Sequence, residues 1–400
     1  MNSRKNKKRG RRQSILPFFI LVVILIIAGG YYLNSSMKEE NTVLKISNNK
    51  EKVAKKVKKE EPKQEAKPDI NPEIKPEPVK ETTLKISAAG DFTLGSDESF
   101  NYSSSFIKAA DDHGLPYFVK GLDNIFLNDD FTTVNLETTL TNSTKKAVKT
   151  FRFNGDPSYA KILELGGIEA VNLANNHIHD YLDKGYQDTM TSLEKQNIGY
   201  FGYDHKYITT VKDTKIGALG YEGWADTAAI RRQVTNDIKE LRAQGAQIVL
   251  VHYHWGSERH YVPDSSQQSL ARFTIDNGAD LILGHHPHVV QGIEEYKGKF
   301  IVYSLGNFMF GGNRNPSDKD TFVFQQTFHL KNGVLSDAKE INVVPFSISS
   351  VSSRNDYQPT LLTGSEKKRV KQKIIDGSNR IKGSDWQVYE NNDQVVKKEN

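Results

Sequence analysis

Apolar and polar positions divide the chain into three textures. Ile15 to Leu33 is an uncharged run of nineteen residues, which as a helix spans about 28 Å, close to the hydrocarbon thickness of a bilayer. Residues 38–81 are rich in Lys and Glu, with five prolines and no aromatic residue; so little apolar surface cannot offset chain entropy, and a disordered stalk is predicted. From Thr82 onward, β-rich apolar runs stop abruptly in polar residues: LKISAAGD (84–91), FTTVNLE (131–137), IEAVNLANNH (168–177), QIVLVHYH (247–254) and ADLILGHHPH (279–288). Helical periodicity lies between them at Ser158–Leu165, Lys184–Gln196, Thr227–Gln244 and Ser265–Asn277. Strands alternating with helices predict an α/β domain with largely buried sheets. Beyond Lys299 come consecutive strands, KFIVYSLGN, TFVFQQTFHL and VLSDAKEINVVPFSI, expected as an antiparallel meander along one edge. A short basic helix over Glu366–Ile375 precedes a polar end.

Charge changes this picture only once it is located. The formal +5 invites a nucleic-acid partner, but residues 1–14 carry +7 and residues 38–81 carry +2, leaving −4 for 82–400. The folded part is mildly acidic, and no nucleic-acid partner is expected. The basic block lies before the apolar run, and Tyr31 and Tyr32 end that run like an interfacial belt. By the positive-inside rule the N-terminus is cytoplasmic and everything beyond Leu33 is outside the cell. A cleaved signal peptide with Ala28-Gly29-Gly30 as its small-residue site is the competing reading; the length of the run favours an uncleaved anchor. The expected organisation is a cytoplasmic tail (1–14), a single transmembrane helix (15–33), a stalk (34–81), a folded domain (82–350) and a C-terminal extension (351–400). With no cysteine in the chain, disulfides, thiolate metal sites and thiol nucleophiles are excluded.

In open α/β sheets, ligands gather beyond the carboxyl ends of strands. Those ends here carry Asp91, Glu137, Asn176, His177, His252, His254, His285, His286 and His288, and nine of the eleven histidines fall between 177 and 288. Such a set is either a metal site or a hydrogen-bonded polar rim. Imidazole with carboxylate and amide oxygen suits Zn, Mn or Fe(II).

Seven segments in register carry a resemblance: GDFTLG (Gly90–Gly95), VNLETTL (Val134–Leu140), FRFNG (Phe151–Gly155), NLANNHIHDY (Asn172–Tyr181), HYHWGSE (His252–Glu258), GADLILGHHPHVVQ (Gly278–Gln291) and YSLGNFMF (Tyr303–Phe310). From about Leu84 to Phe310 the chain resembles the CapA family of poly-γ-glutamate capsule proteins, relatives of the calcineurin-like metallophosphoesterases. The resemblance implies a layered α-β-β-α sandwich and one or two divalent ions. It implies Asp91, Asn176, His254, His285 and His288 as metal ligands, Glu137 as the bridging carboxylate, His177 as the catalytic acid, and His286 as a spare. Threonine stands at position 93 where the superfamily has a histidine, and glutamate at 137 where it has aspartate. Asp180 is read as a cap for the helix beginning near Tyr181 rather than as a partner for an imidazole. Trp255 and Asn307, beside the motifs, are candidate substrate contacts, although large aromatics near loops often simply pack. Arg152, Arg259 and Arg314 are candidates for neutralising an anionic chain. The resemblance further implies an extracellular, membrane-anchored role in polymer synthesis or export beside an ATP-dependent poly-γ-glutamate ligase and a small polytopic membrane subunit. The alternative is a cell-envelope phosphoesterase acting on another substrate.

Overall fold

The computed structural model describes residues 79–338, 340–384, 386–388 and 395–397. The basic tail, the apolar run and nearly all of the stalk lie outside the described residues, among which no helix is long and apolar enough to cross a membrane.

The chain builds one sheet, crosses to a second and returns. Strands β1 (Glu81–Thr93), β2 (Phe131–Leu136), β3 (Ala170–Asn172) and β4 (Gly199–Phe201) open the first sheet. Strands β5 (Tyr207–Val211), β6 (Thr214–Gly223), β7 (Ile248–Trp255), β8 (Leu281–His285), β9 (Ile293–Tyr296) and β10 (Lys299–Val302) form the second, in the order β9-β10-β8-β7-β6-β5. The chain then re-enters the first sheet through β11 (Asn307–Phe310), which pairs with the end of β1, followed by β12 (Asp320–Lys331), β13 (Glu340–Ser347) and β14 (Thr360–Leu361). The order there is β14-β13-β12-β1-β2-β3-β4, and β12, β13 and β14 are antiparallel as expected; the first segment of the expected meander, KFIVYSLGN, does not join them, because β10 lies in the second sheet parallel to β8 and β11 pairs parallel with β1.

Helices α1 (Phe106–His113), α2 (Ala160–Gly166), α3 (Leu182–Glu194), α4 (Ala228–Ala243) and α5 (Ser265–Asp276) include the four predicted ones, each within two residues of its expected ends. Polar starts fix α1, α4 and α5, and Ser105 caps α1 through the Lys108 N–H. Thr227 caps α4 through the Ile230 N–H, and Asp264 and Gln267 form a reciprocal capping box on α5. The final helix α6 (Gly364–Asn379) is longer than the predicted Glu366–Ile375 and inserts Val370, Ile374 and Ile375 into the core between the sheets.

Period-two alternation explains the layers. Leu84, Ile86 and Ala88 of β1 and Phe131 of β2 meet Ile248 and Leu250 of β7 and Leu281 and Leu283 of β8 in a core between the sheets. The opposite faces bury Phe92, Val134 and Leu136 under α1, α2 and α3, and Val249, Val251 and Tyr253 under α4 and α5. The result is the expected α-β-β-α sandwich.

β1 changes face where it nears the site. Its register against β2 shifts between Ala88 and Asp91, so Ala88 points inward, Ala89 and Phe92 outward, and Asp91 returns to the inner side. Gly90 lies at that shift, and a Cβ there would come within 2.0 Å of the Gly306 carbonyl oxygen. That carbonyl accepts the Asp91 N–H at 2.9 Å. Gly90→Ala is expected to cost about 2 kcal/mol or more of stability, read as a lowered urea midpoint, because backbone rather than a flexible side chain must yield.

A second expectation concerns the far end of the same strands. The Glu169 carboxylate accepts the Thr132 N–H at 2.6 Å, and Asp129 accepts the Thr132 hydroxyl at 2.6 Å. Burial, with Asp129 nearby, pushes the Glu169 carboxyl up to about 7. A carboxyl that binds its proton more tightly when folded contributes stability that is full below its unfolded value near 4.5 and lost as pH rises through about 7. Glu169→Gln keeps an acceptor for Thr132, so it should match the parent near pH 4.5 and exceed it in denaturant midpoint above pH 7.

Candidate metal centre

The alternation that builds the inner core also builds the site. Along β7 the inward positions read Ile248, Leu250, His252 and His254; along β2 and its extension they read Phe131, Thr133, Asn135 and Glu137; along β8 they read Leu281, Leu283 and His285. Each strand is therefore apolar at its start and polar at its carboxyl end on a single face. Glu137 is fixed just beyond β2 by its N–H to the Phe92 carbonyl, at 2.8 Å.

Two donor groups form where these ends meet. Glu137, His254 and His286 make one, and Asp91, Glu137 and His288 the other, with the ligand atoms of each group lying within 4.8 Å of one another. Glu137 belongs to both. Glu137 and Asp91 are both fully buried, yet neither Glu137 oxygen has a hydrogen-bond partner among the described residues. Its nearest cationic candidates are His254 Nε2 at 3.6 Å and His288 Nε2 at 3.8 Å. A buried carboxylate aimed at open donor sets, with no hydrogen bond of its own, fits a bridging metal ligand.

Electrostatics point the same way. Burial pushes the Glu137 carboxyl well above the usual carboxylate range, and the Asp91 charge adds to it. Burial also opposes ionisation of Asp91, but the imidazoles of His285 and His288, at 3.3 and 3.2 Å, hold its carboxyl well below that range. Despite its own burial, His288 is lifted to about 10 by Glu137 and Asp91. Burial drives His254 well below the ordinary imidazole range, so it stays a neutral, ligating base.

A network of amides holds the donors. Asn135 Nδ2 donates to Asp91 Oδ1 at 2.9 Å and lies 3.3 Å from His254 Nδ1. Its own Oδ1 accepts from Asn172 Nδ2 at 2.9 Å and Asn175 Nδ2 at 3.3 Å. Asn176 Oδ1 stands 2.8 Å from His254 Nε2, at the edge of the first donor group. Asn307 Oδ1 lies 2.9 Å from His288 Nδ1, so it positions that ring as well as facing the adjoining cavity. His285 Nδ1 lies 3.3 Å from Asp91 Oδ1, while its Nε2 meets His252 Nδ1 at 2.9 Å. His252 in turn reaches the Thr133 hydroxyl at 2.9 Å. The imidazole expected as a spare, His286, stands inside a donor group; its φ of 93° breaks the strand alternation and turns it toward Glu137.

His177 lines the cavity beside the donors. Asp180 does not cap a helix: α3 begins at Leu182 without a side-chain cap, and Asp180 Oδ2 instead meets His177 Nδ1 at 2.6 Å and accepts the Phe153 N–H at 2.7 Å. The other Asp180 oxygen binds Lys149 Nζ at 2.5 Å. Strand parity sends Trp255 to the opposite face, where it is fully buried, stacks on Tyr253 at 4.6 Å and donates to the Tyr303 carbonyl at 2.9 Å. The tryptophan at the site is Trp224, 45% exposed, whose ring lies edge-on to His286 at 4.7 Å and to His254 at 5.6 Å. Its signal in the sequence is its position just past the end of β6, at Gly223.

Comparisons with known proteins bear on this centre. The profile of a family described as bacterial capsule synthesis protein PGA_cap matches residues 85–312, a span holding every donor named above. The chain is 28% identical to the capsule biosynthesis protein CapA of Bacillus anthracis over 60% of this chain and 64% of that protein, so it spans less than two thirds of that relative. It is 30% identical to the PGA biosynthesis protein CapA of Bacillus subtilis over 63% of this chain and 69% of that protein. A probable polyglutamine synthesis accessory protein of Mycobacterium tuberculosis is 26% identical over 44% of this chain and 55% of its own length. With the profile covering more than half of its residues, the chain belongs to the PGA_cap family of bacterial capsule synthesis proteins.

Proposed function

We propose that this protein is an anchored, extracytoplasmic component of poly-γ-glutamate capsule synthesis or export, with a divalent metal pair held at the ends of its two sheets. Family membership and the names of the two Bacillus relatives support the polymer. The uncharged run 15–33 behind a basic block supports the anchor. A ligase and a polytopic membrane subunit are the partners the family resemblance implies. The observation that carries the metal reading is Glu137, fully buried, shared by two donor groups and free of any hydrogen bond among the described residues.

Asp91 and His288 would hold one ion, His254 and His286 the other, and Glu137 both, with Asn176 and His285 as further donors at the margins. Bound there, the pair supplies Lewis acidity and makes hydroxide available near neutral pH. The surrounding residues set protons and orientation. Asp180 accepts Nδ1–H of His177 and thereby fixes the tautomer, leaving Nε2 as the atom that exchanges a proton with a substrate oxygen. Burial holds the His177 imidazole below its ordinary range although Asp180 pulls the other way. Asn135 keeps Asp91 and His254 in register, and Asn307 does the same for His288.

The His177–Asp180–Lys149 array beside the donors favours a second reading, an envelope metal-dependent phosphoesterase with another substrate. Purified protein with manganese should then cleave an aryl phosphate, and His177→Ala should lower the rate by about a hundredfold or more. No turnover with manganese, zinc or iron would remove this reading.

Two outcomes test the main proposal. Metal analysis of the purified chain should find close to two equivalents of a divalent transition ion, and Glu137→Gln should lose at least half of it; a metal-free parent would sink the centre. Deleting the gene from a producing strain should abolish surface polymer. Restoring the gene with Glu137→Gln or His254→Ala should leave polymer absent if the metal pair serves that function.

A further inference from the structure

A cavity of about 510 Å³ opens beside the donor groups, lined by His177, His288 and Asn307 at its inner end. Its aromatic wall runs directly into the centre: the Phe153 ring lies 4.3 Å from that of His177, and the Phe310 ring 5.1 Å from that of His288. Phe151, 51% exposed, extends that wall outward. The cavity is also lined by Arg259 and Arg314, both exposed and neither with an ion pair or side-chain hydrogen bond among the described residues.

Both arginines stand on held backbone. The Arg259 N–H donates to the Pro287 carbonyl at 2.8 Å, within the loop that carries His286 and His288. Arg259 itself adopts φ of 62°, a left-handed conformation unfavourable for a residue with a side chain and common where function demands it. The Arg314 carbonyl accepts the Asn355 N–H at 3.1 Å, and Asn355 Nδ2 donates to the Asn313 carbonyl at 3.0 Å and the Phe310 carbonyl at 2.8 Å. Of the acids lining the cavity, Asp318 is committed to Lys373 at 2.7 Å and to the Tyr261 hydroxyl at 3.0 Å. Glu258 makes no ion pair among the described residues, so the two free arginines face a single uncommitted carboxylate, in a domain that is negative as a whole.

Arginines beside an aromatic wall suit a chain that alternates carboxylates with methylenes. A γ-linked glutamate chain has that character, because its linkage routes the main chain through the side-chain methylenes and leaves each α-carboxylate free. Guanidinium forks bind carboxylates in bidentate fashion, and the methylenes lie against the rings. We infer that Arg259 and Arg314 are the residues that recognise the carboxylates of the γ-glutamyl chain in this cavity and lay it toward the donor groups; the inference rests on the poly-γ-glutamate reading above.

Titration of the purified full chain with a γ-linked glutamate oligomer, in chelating buffer so that carboxylate–metal contacts do not contribute, tests it. The parent should bind, with affinity falling as salt is raised. The double variant Arg259→Ala/Arg314→Ala should bind at least about tenfold more weakly. Arg259→Lys/Arg314→Lys should fall between, since a point charge keeps attraction without the fork. In chelator-free buffer, manganese uptake by the alanine variant should equal the parent's, which shows the fold and the centre intact. Affinity of the alanine variant within about twofold of the parent overturns the arginine assignment while leaving the polymer reading in place. A parent that fails to bind the oligomer overturns the polymer reading itself, and tighter binding of a polyphosphate of equal charge reassigns the cavity to phosphate chains.

Discussion

The Glu137 carboxylate lies at the junction of the two sheets, where no solvent reaches it and no donor among the described residues satisfies either oxygen. Leaving such a group ionised and unpaired costs several kcal/mol, and a second buried carboxylate, Asp91, raises that cost. In the folded chain the conflict shows as opposite pulls: burial drives the Glu137 carboxyl up, while the neighbouring imidazoles draw Asp91 down. Divalent ions held by Glu137, Asp91 and the imidazoles would resolve it differently, because their charge would let both carboxylates ionise together. The asparagines around the pair have meaning in that light. Asn135, held by Asn172 and Asn175, can direct Asp91 and His254 without adding charge to a place that already has too much.

That polar pocket is compatible with a stable sandwich because parity separates it from the dry core along each strand rather than across it. Ile248 and Leu250 seal the inner layer one and two pleats before His252 and His254 open it to chemistry. The same rule holds for Phe131 before Glu137 and for Leu281 and Leu283 before His285. The register shift at Gly90 is the exception that completes the site, since an unbroken β1 would turn Asp91 outward into the helical layer. Strain is confined to places where the chain must leave this regularity. His286 and His288, both at positive φ and separated only by Pro287, let one short loop serve two donor groups.

Much of this was legible beforehand, and the remainder was hidden for identifiable reasons. Apolar runs ending in Asp, Glu and His marked the strand ends, and helical periodicity located α2 to α5 closely because amphipathic spacing survives burial on one face. Whether consecutive histidines face in or out depends on where β8 stops. The sequence does not reveal that His285 is the last strand residue and that His286 turns at φ 93°. Trp255 shows the converse: its place three positions after one inward histidine and one after another, read through strict alternation, sends it outward, while its neighbourhood in the motif suggests otherwise. Asp180 was read as a cap because an acid before a helix usually is one. Its long-range partners, Lys149 and Phe153, reach it across a loop that no local pattern describes and hold its carboxylate toward His177, three residues before it.

Charge distribution bears on how such a domain handles a polyanion. Residues 82–400 carry −4, so their overall field repels a chain of carboxylates rather than gathering it. Attraction then falls to cationic groups free of acidic partners, and several arginines are not free in this way: Arg369 is paired with Asp320 and Arg242 with Asp280. A surface that repels the polymer broadly and holds it at a few points discriminates by register instead of by bulk attraction. It also lets the chain move on once local contacts break, which a uniformly basic surface would hinder. The acidic character of the folded domain thus places any hold on an anionic chain at local cationic points, not in its overall field.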